Sequence, residues 1–184
     1  MRLFVGLAVP AAVRTQLASV IAPLEPDLPQ LRWTPPNGWH LTLAFLGEVA
    51  TDRLDGVRVV VAGLAAGQSP PRLSLGRAGR FGPRALWVGV DDRPPGVVAE
   101  LGSRLQTQLA TAGLPVRPRE VVPHLTVARS GRGPVDTAAV THVEQRTQPL
   151  RGLAWSAEQL TLWRSQLGSG PPRYEVVDAS AFGG

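Results

Sequence analysis

The sequence predicts an α+β fold made by internal duplication, and three observations carry that prediction. The phrase His-Leu-Thr, then an aliphatic residue, then Ala occurs twice, in "WHLTLAFLGE" (39–48) and "PHLTVARSGR" (123–132). The two histidines stand at positions 40 and 124, 84 residues apart, and they are two of only three in the chain. Each copy lies in the same local order of helical pattern, motif strand, helical pattern and two strands. That period is too long for a stacked solenoid and suits two related halves sharing one domain over residues 1–184.

The elements follow from periodicity. "RLFVGLAV" (2–9) is apolar and β-forming, so it reads as a strand. Pro10 suits a helix start, and Val13, Leu17, Val20 and Ile21 recur at helical spacing. "EPDLPQLRWTPPNG" reads as a Pro-rich connection into the strand "WHLTLAFLG", which Gly47 closes. "TDRLDGVRVVVAGLAAG" offers Thr51 or Asp52 as a cap for a second helix, and "RLSLGRAGRFG" and "RALWVGVDD" read as strands joined at Gly82 and Pro83. Val97, Leu101, Leu105 and Leu109 lie four apart in a helix ending at Gly113. "EVVPHLTVAR" is the second motif strand, "GPVDTAAVTHVEQR" a short helix or turn, and "LRGLAWSA", "QLTLWRSQL" and "RYEVVDA" complete the strands.

Composition narrows the chemistry. Hydrophobic residues make up 43% and charged residues 18% of 184 positions, a globular balance. The 20 Gly and 18 Pro are scattered between apolar runs as turn punctuation. With no Cys, thiol catalysis, disulfides and thiolate metal sites are excluded. All 19 basic residues are Arg, so Schiff-base chemistry, Walker-type phosphate loops and lysyl-nucleotide intermediates are excluded too. The net charge of +5 suits an anionic partner, which arginine meets with planar, bidentate contacts. No run approaches a membrane span, and the apolar start is too short for a signal peptide, so a cytoplasmic protein is expected.

On a strand, alternate side chains share a face, so His40 and Thr42 point one way while Leu41 and Leu43 point into the core. His124 and Thr126 stand likewise against Leu125 and Val127. If duplication makes the two strands pseudo-symmetric neighbours, two imidazoles and two hydroxyls converge on a volume suited to a phosphate. In-line displacement at phosphorus needs one neutral imidazole to take a proton and one protonated imidazole to give one. An unperturbed pKa near 6.5 lets both forms exist around neutrality. Neither a His-Glu-x-x-His helix nor a Cys cluster is present, so no metal and no cofactor are expected. Symmetry leaves open which histidine does which.

These residues resemble the paired motifs of the RNA 2′,3′-cyclic phosphodiesterases, historically called 2′-5′ RNA ligases, of the two-histidine phosphoesterase superfamily. "RLFVGLAVP", "FGPRALWVGV" and "LTLWRSQLGSGPPRYEVV" resemble further segments of that family in order, so the likeness covers nearly the whole chain. It implies two pseudo-symmetric lobes of antiparallel sheet with outer helices, one His-x-Thr motif per lobe (40–43 and 124–127), around a central cleft. It implies metal-independent hydrolysis of RNA 2′,3′-cyclic phosphate ends to 2′-phosphates, with His40 as proton donor and His124 as proton acceptor. Thr42 and Thr126 bind phosphate oxygens in that scheme, and Phe45 and Arg129 clamp the terminal nucleobase. Strict alternation places Phe45 and Arg129, each five residues after its histidine, on the wrong face unless the strand twists or ends at the preceding Ala.

The expected partner is RNA with a cyclic phosphate terminus or a related nucleotide, with no membrane and no obligate protein partner. Three other functions compete: reversible 2′-5′ ligation of RNA at the same site, hydrolysis of a small cyclic phosphate, and a non-catalytic module that binds a nucleotide or RNA end. Intact His and Thr in both motifs weigh against the last. His142 reads as a surface residue, and Trp87, Trp155 and Trp163 as core. Trp33 and Trp39 border the first motif, and Arg164 and Ser165 read as bystanders.

Overall fold

The computed structural model describes residues 1–166, 168 and 172–183. They form nine strands, β1 (Arg2–Ala8), β2 (Leu31–Trp33), β3 (His40–Glu48), β4 (Arg72–Phe81), β5 (Ala85–Arg93), β6 (His124–Ser130), β7 (Ala154–Ser156), β8 (Gln159–Gln166) and β9 (Arg173–Ala181). Four α-helices accompany them: α1 (Ala11–Ile21), α2 (Leu54–Ala66), α3 (Val97–Thr111) and α4 (Thr137–Thr147). The strand expected over "QLTLWRSQL" is described through Gln166; Leu167 lies outside the described residues, as do residues 169–171 of the segment quoted above.

The strands pair in two antiparallel sheets, ordered β3-β1-β8-β9 and β2-β6-β5-β4-β7. Apart from β2, the second order repeats the first, with a motif strand followed by three others. Helices α2 and α3 back the first sheet; α4 backs the second and packs on α1. Each sheet buries one face beneath its helices: Leu3, Val5, Leu7, Leu41 and Leu43 in the first, Leu73, Leu86, Val88, Leu125 and Val127 in the second.

The α+β class, the paired antiparallel sheets and the outer helices match expectation, but the lobes are not successive halves of the chain. Strands β4 and β5, which follow the first motif, belong to the sheet of the second. Strands β8 and β9 return to complete the first. Hydrophobic periodicity reports which face is buried, not which sheet a strand joins.

Local chemistry sets the boundaries. Asp136 caps α4 by accepting from the Ala139 N–H at 2.8 Å. Asp92 accepts from the N–H groups of Gly96 and Val98 at the start of α3. The expected Thr51 or Asp52 cap on α2 does not form; a single 3-10 turn at Thr51–Arg53 precedes that helix instead. Strand β2 lies inside the stretch read as a connection. Three residues are too few to show a period, and β2 exists because β6 offers it an edge.

Candidate active site

The two motif strands break their own alternation at matching places. In β3, Gly6 of β1 faces Thr42 and Val5 faces Ala44, so Leu43 is an extra residue without a direct partner. In β6, Trp87 of β5 faces Thr126 and Leu86 faces Ala128, leaving Val127 extra. Each β-bulge reverses the parity beyond it. Leu43 and Ala44 are both buried and the side chains then resume with half-buried Phe45; Val127 and Ala128 are both buried before exposed Arg129. Phe45 therefore shares a face with His40 and Thr42, and Arg129 with His124 and Thr126. The bulges resolve the conflict that strict alternation creates.

Both imidazoles are fixed in the same way. His40 Nδ1 is 2.8 Å from the Gly38 carbonyl, and His124 Nδ1 is 2.6 Å from the Val122 carbonyl. A carbonyl only accepts, so each Nδ1 carries the proton and each Nε2 is left for the cleft. Strands β3 and β6 pack against one another, and charge on His124 disfavours charge on His40, so the two rings occupy one electrostatic site.

Their surroundings differ. Phe4 lies 4.7 Å from the His40 ring, Tyr174 5.0 Å in edge contact and Trp163 5.5 Å, so three aromatics enclose it. His124 touches Phe81 edge-on at 4.7 Å, with Trp87 at 6.2 Å, and Phe81 is itself exposed. Burial pushes His40 down to about 4, reinforced by the positive charges of His124 and Arg129; its bond to Gly38 opposes this. His124 is also lowered, first by burial and then by Arg119 and Arg129, against its bond to Val122. Burial raises Tyr174, so its phenol keeps its proton, although Arg129 and Arg2 pull the other way.

Arg129 thus acts on both imidazoles and on Tyr174. It faces Arg32 directly across β2 and β6, and among the described residues neither forms a salt bridge. Two cations side by side on a sheet face repel, and an anion between them relieves that repulsion. The guanidinium lying over the Phe45 ring is that of Arg119, 5.1 Å from the centroid. Small residues keep the floor open. Gly6 faces Thr42 where a Cβ would strike the Leu41 carbonyl, and a Cβ on Gly79 would strike the Trp87 indole.

The structure thus places His40, Thr42 and Phe45 on one face of β3 and His124, Thr126 and Arg129 on one face of β6, two strands that pack against one another. His142 is exposed on α4 and away from them, and Trp155 and Trp39 are in the core. Trp163 and Trp87 depart from the expected core role. Trp163 is buried on the cleft side against Phe4 and His40, and half-buried Trp87 stands beside His124. Phe4, Phe81, Arg119 and Tyr174 went unread in the sequence. Phe81 and Tyr174 sit at strand ends and Arg119 in a coil, where no period announces a face. Among the described residues, no three His, Asp or Glu side chains group as a metal site would require, and no helix is long and apolar enough to cross a membrane.

Residues 29–169 match the family model described as the 2′-5′ RNA ligase superfamily. Over 94% of this chain and 92% of the relative, the sequence is 30% identical to an RNA 2′,3′-cyclic phosphodiesterase of Escherichia coli. It is 26% identical, over 96% of the chain, to one of Geobacillus stearothermophilus, of which it spans only 55%. Among solved structures, the Thermus thermophilus protein TT0787 superposes with a TM-score of 0.79 at 27% identity, covering 99% of this chain and 98% of that one. Escherichia coli LigT complexed with 3′-AMP superposes with a TM-score of 0.74 at 25% identity, covering 98% and 97%.

Proposed function

This chain belongs to the 2′-5′ RNA ligase superfamily, and from that premise we propose that it hydrolyses the 2′,3′-cyclic phosphate ends of RNA to 2′-phosphates without a metal. The observation that carries this reading is the matched fixing of His40 and His124. Each Nδ1 is tied to a carbonyl two residues back, which leaves both Nε2 atoms for substrate, and charge on one ring is felt by the other. A curated relative that is 30% identical acts as an RNA 2′,3′-cyclic phosphodiesterase by name.

In this reaction His124 Nε2 takes a proton from water as the water oxygen attacks phosphorus. The P–O3′ bond breaks opposite, and His40 Nε2 gives its proton to O3′. Thr42 and Thr126 donate to the non-bridging oxygens, and Arg129, whose charge acts on both imidazoles, meets the negative charge of the phosphate. Phe45 of β3 offers an aromatic face to the terminal nucleobase, with Arg129 on β6 of the other sheet. The donor needs a protonated His40, which burial disfavours in the free protein. A phosphodiester anion beside the ring supplies the missing counter-charge, so the donor is charged as substrate binds.

Replacing either histidine with Ala should lower turnover of a cyclic-phosphate oligonucleotide at least a hundredfold, because each proton transfer contributes roughly a hundred- to ten-thousand-fold. The fold should be retained by circular dichroism and activity should survive EDTA. Near-normal turnover by His40→Ala, or EDTA inhibition reversed by added metal, would remove this mechanism.

A further inference from the structure

Resting on that reading, we propose a second phosphate subsite on Arg32, which takes the phosphate on the 5′ side of the terminal nucleotide and so favours RNA ends over cyclic mononucleotides. Arg32 lies in the stretch that periodicity reads as a connection, yet β2 pairs with β6 and sets it directly opposite Arg129. Both side chains are exposed, and among the described residues neither forms a salt bridge. Like charges facing each other across a strand pair destabilise it, a cost that a bound anion relieves. Arg129 is the inner of the two, since its charge disfavours protonation of both His40 and His124. Arg32 stands one strand farther out, at the edge of the sheet.

Facing Cα atoms of an antiparallel pair stand about 4.5–5.5 Å apart, and two long side chains splay beyond that. With Arg129 on the cyclic phosphate and Arg32 on its neighbour, the two guanidinium groups bracket one ribose, whose 5′ oxygen carries the next phosphate of an RNA chain. The outer position is held in place. Arg32 Nε donates to the Ser130 carbonyl at 3.2 Å. That bond leaves the two terminal nitrogens, a parallel pair of donors that matches two phosphate oxygens. Gly131 makes room for the stem, because a Cβ there would lie 3.0 Å from Arg32 Cγ and 2.7 Å from the Gln30 carbonyl oxygen. The short strand is fastened at both ends. The Gln30 carbonyl accepts from the Arg132 N–H at 2.9 Å, and the Thr34 N–H donates to the Val127 carbonyl at 2.8 Å. A cyclic mononucleotide with a free 5′ hydroxyl has no group for Arg32 to meet.

The test compares a nucleoside 2′,3′-cyclic phosphate with the same molecule bearing a 5′-phosphate. In the wild type KM should be roughly 5- to 10-fold lower for the 5′-phosphorylated substrate, the worth of one charge-assisted contact at an exposed position. Arg32→Gln should abolish that ratio. Arg146→Gln, on the exposed face of α4 behind the second sheet, removes the same charge and should leave the ratio as it is in the wild type. Circular dichroism checks that both variants fold. No preference in the wild type, a preference that survives Arg32→Gln, or an equal loss in Arg146→Gln would overturn the proposal, since no contact or net charge alone would then explain the data. Equilibrium binding of a nucleoside 2′-phosphate against the 2′,5′-bisphosphate reads the same ratio without turnover. Absence of hydrolysis by the wild-type chain would thus remove the phosphodiesterase reading, whereas equal affinity for these two nucleotides would remove the subsite.

Discussion

Burial lowers the proton affinity of both imidazoles, but Phe4, Trp163 and Tyr174 enclose His40 while His124 meets exposed Phe81 and half-buried Trp87, so one repeated phrase yields two environments. The sign of the pH effect follows. The productive form holds one proton between the two rings. In the free protein His40 is pushed down to about 4 and His124 also lies below 6.5, so the free site loses that proton well before neutrality. The alkaline limb of kcat/KM should therefore fall below pH 6.5. Bound phosphodiester raises the affinity for the proton, so the alkaline limb of kcat should lie at higher pH. Arg129→Gln, which removes a positive charge from both rings, should move the kcat/KM limb upward. Paired pH profiles check this; coincident limbs in the wild type would contradict it. At this scale the sequence was informative wherever a residue recurred. His40, His124, Thr42 and Thr126 announced themselves by repetition, whereas Arg119 and Tyr174 occur once, and only the folded chain brings them near the motifs.

A single buried residue in each motif strand, Leu43 or Val127, re-aims the side chain two positions later. Alternation alone sends Phe45 and Arg129 into the core, and no residue type in "LTLAF" or "LTVAR" marks a bulge. The conflict was visible in the sequence; its resolution needed the strand register. The longer strands and the helices were legible because their apolar faces are periodic, whereas β2 was not. Gln106, a polar position on α3 that no period singles out, is the buried joint between the β3 bulge and the coil carrying Arg119. Gln106→Leu leaves two carbonyls and one N–H without their partner, which should cost about 1–3 kcal/mol for each group that stays dry. Urea unfolding checks the loss. A variant as stable as the wild type would mean water or a shifted coil replaces the joint.

Over the whole molecule, the duplicated pattern is a statement about sheets rather than about halves of the chain. Strands β8 and β9 come back to finish the first sheet, and β4 and β5 cross to the second, so neither half-site forms from one contiguous segment. Duplication was legible because faces repeat; the exchange of strands was not, because pairing partners leave no period. The charge fits this arrangement. All 19 basic residues are Arg, and Arg32, Arg119 and Arg129, without salt-bridge partners among the described residues, stand on or beside the site. The proposed reaction gives the cleft a direction, with His124 on the water side and His40 on the leaving side. A ribose held by its base can present only one of O2′ and O3′ to His40. Phosphorus NMR of the product from a 2′,3′-cyclic-phosphate oligonucleotide tests that claim directly: the account predicts the 2′-phosphate almost alone, and a 3′-phosphate or an even mixture would contradict it.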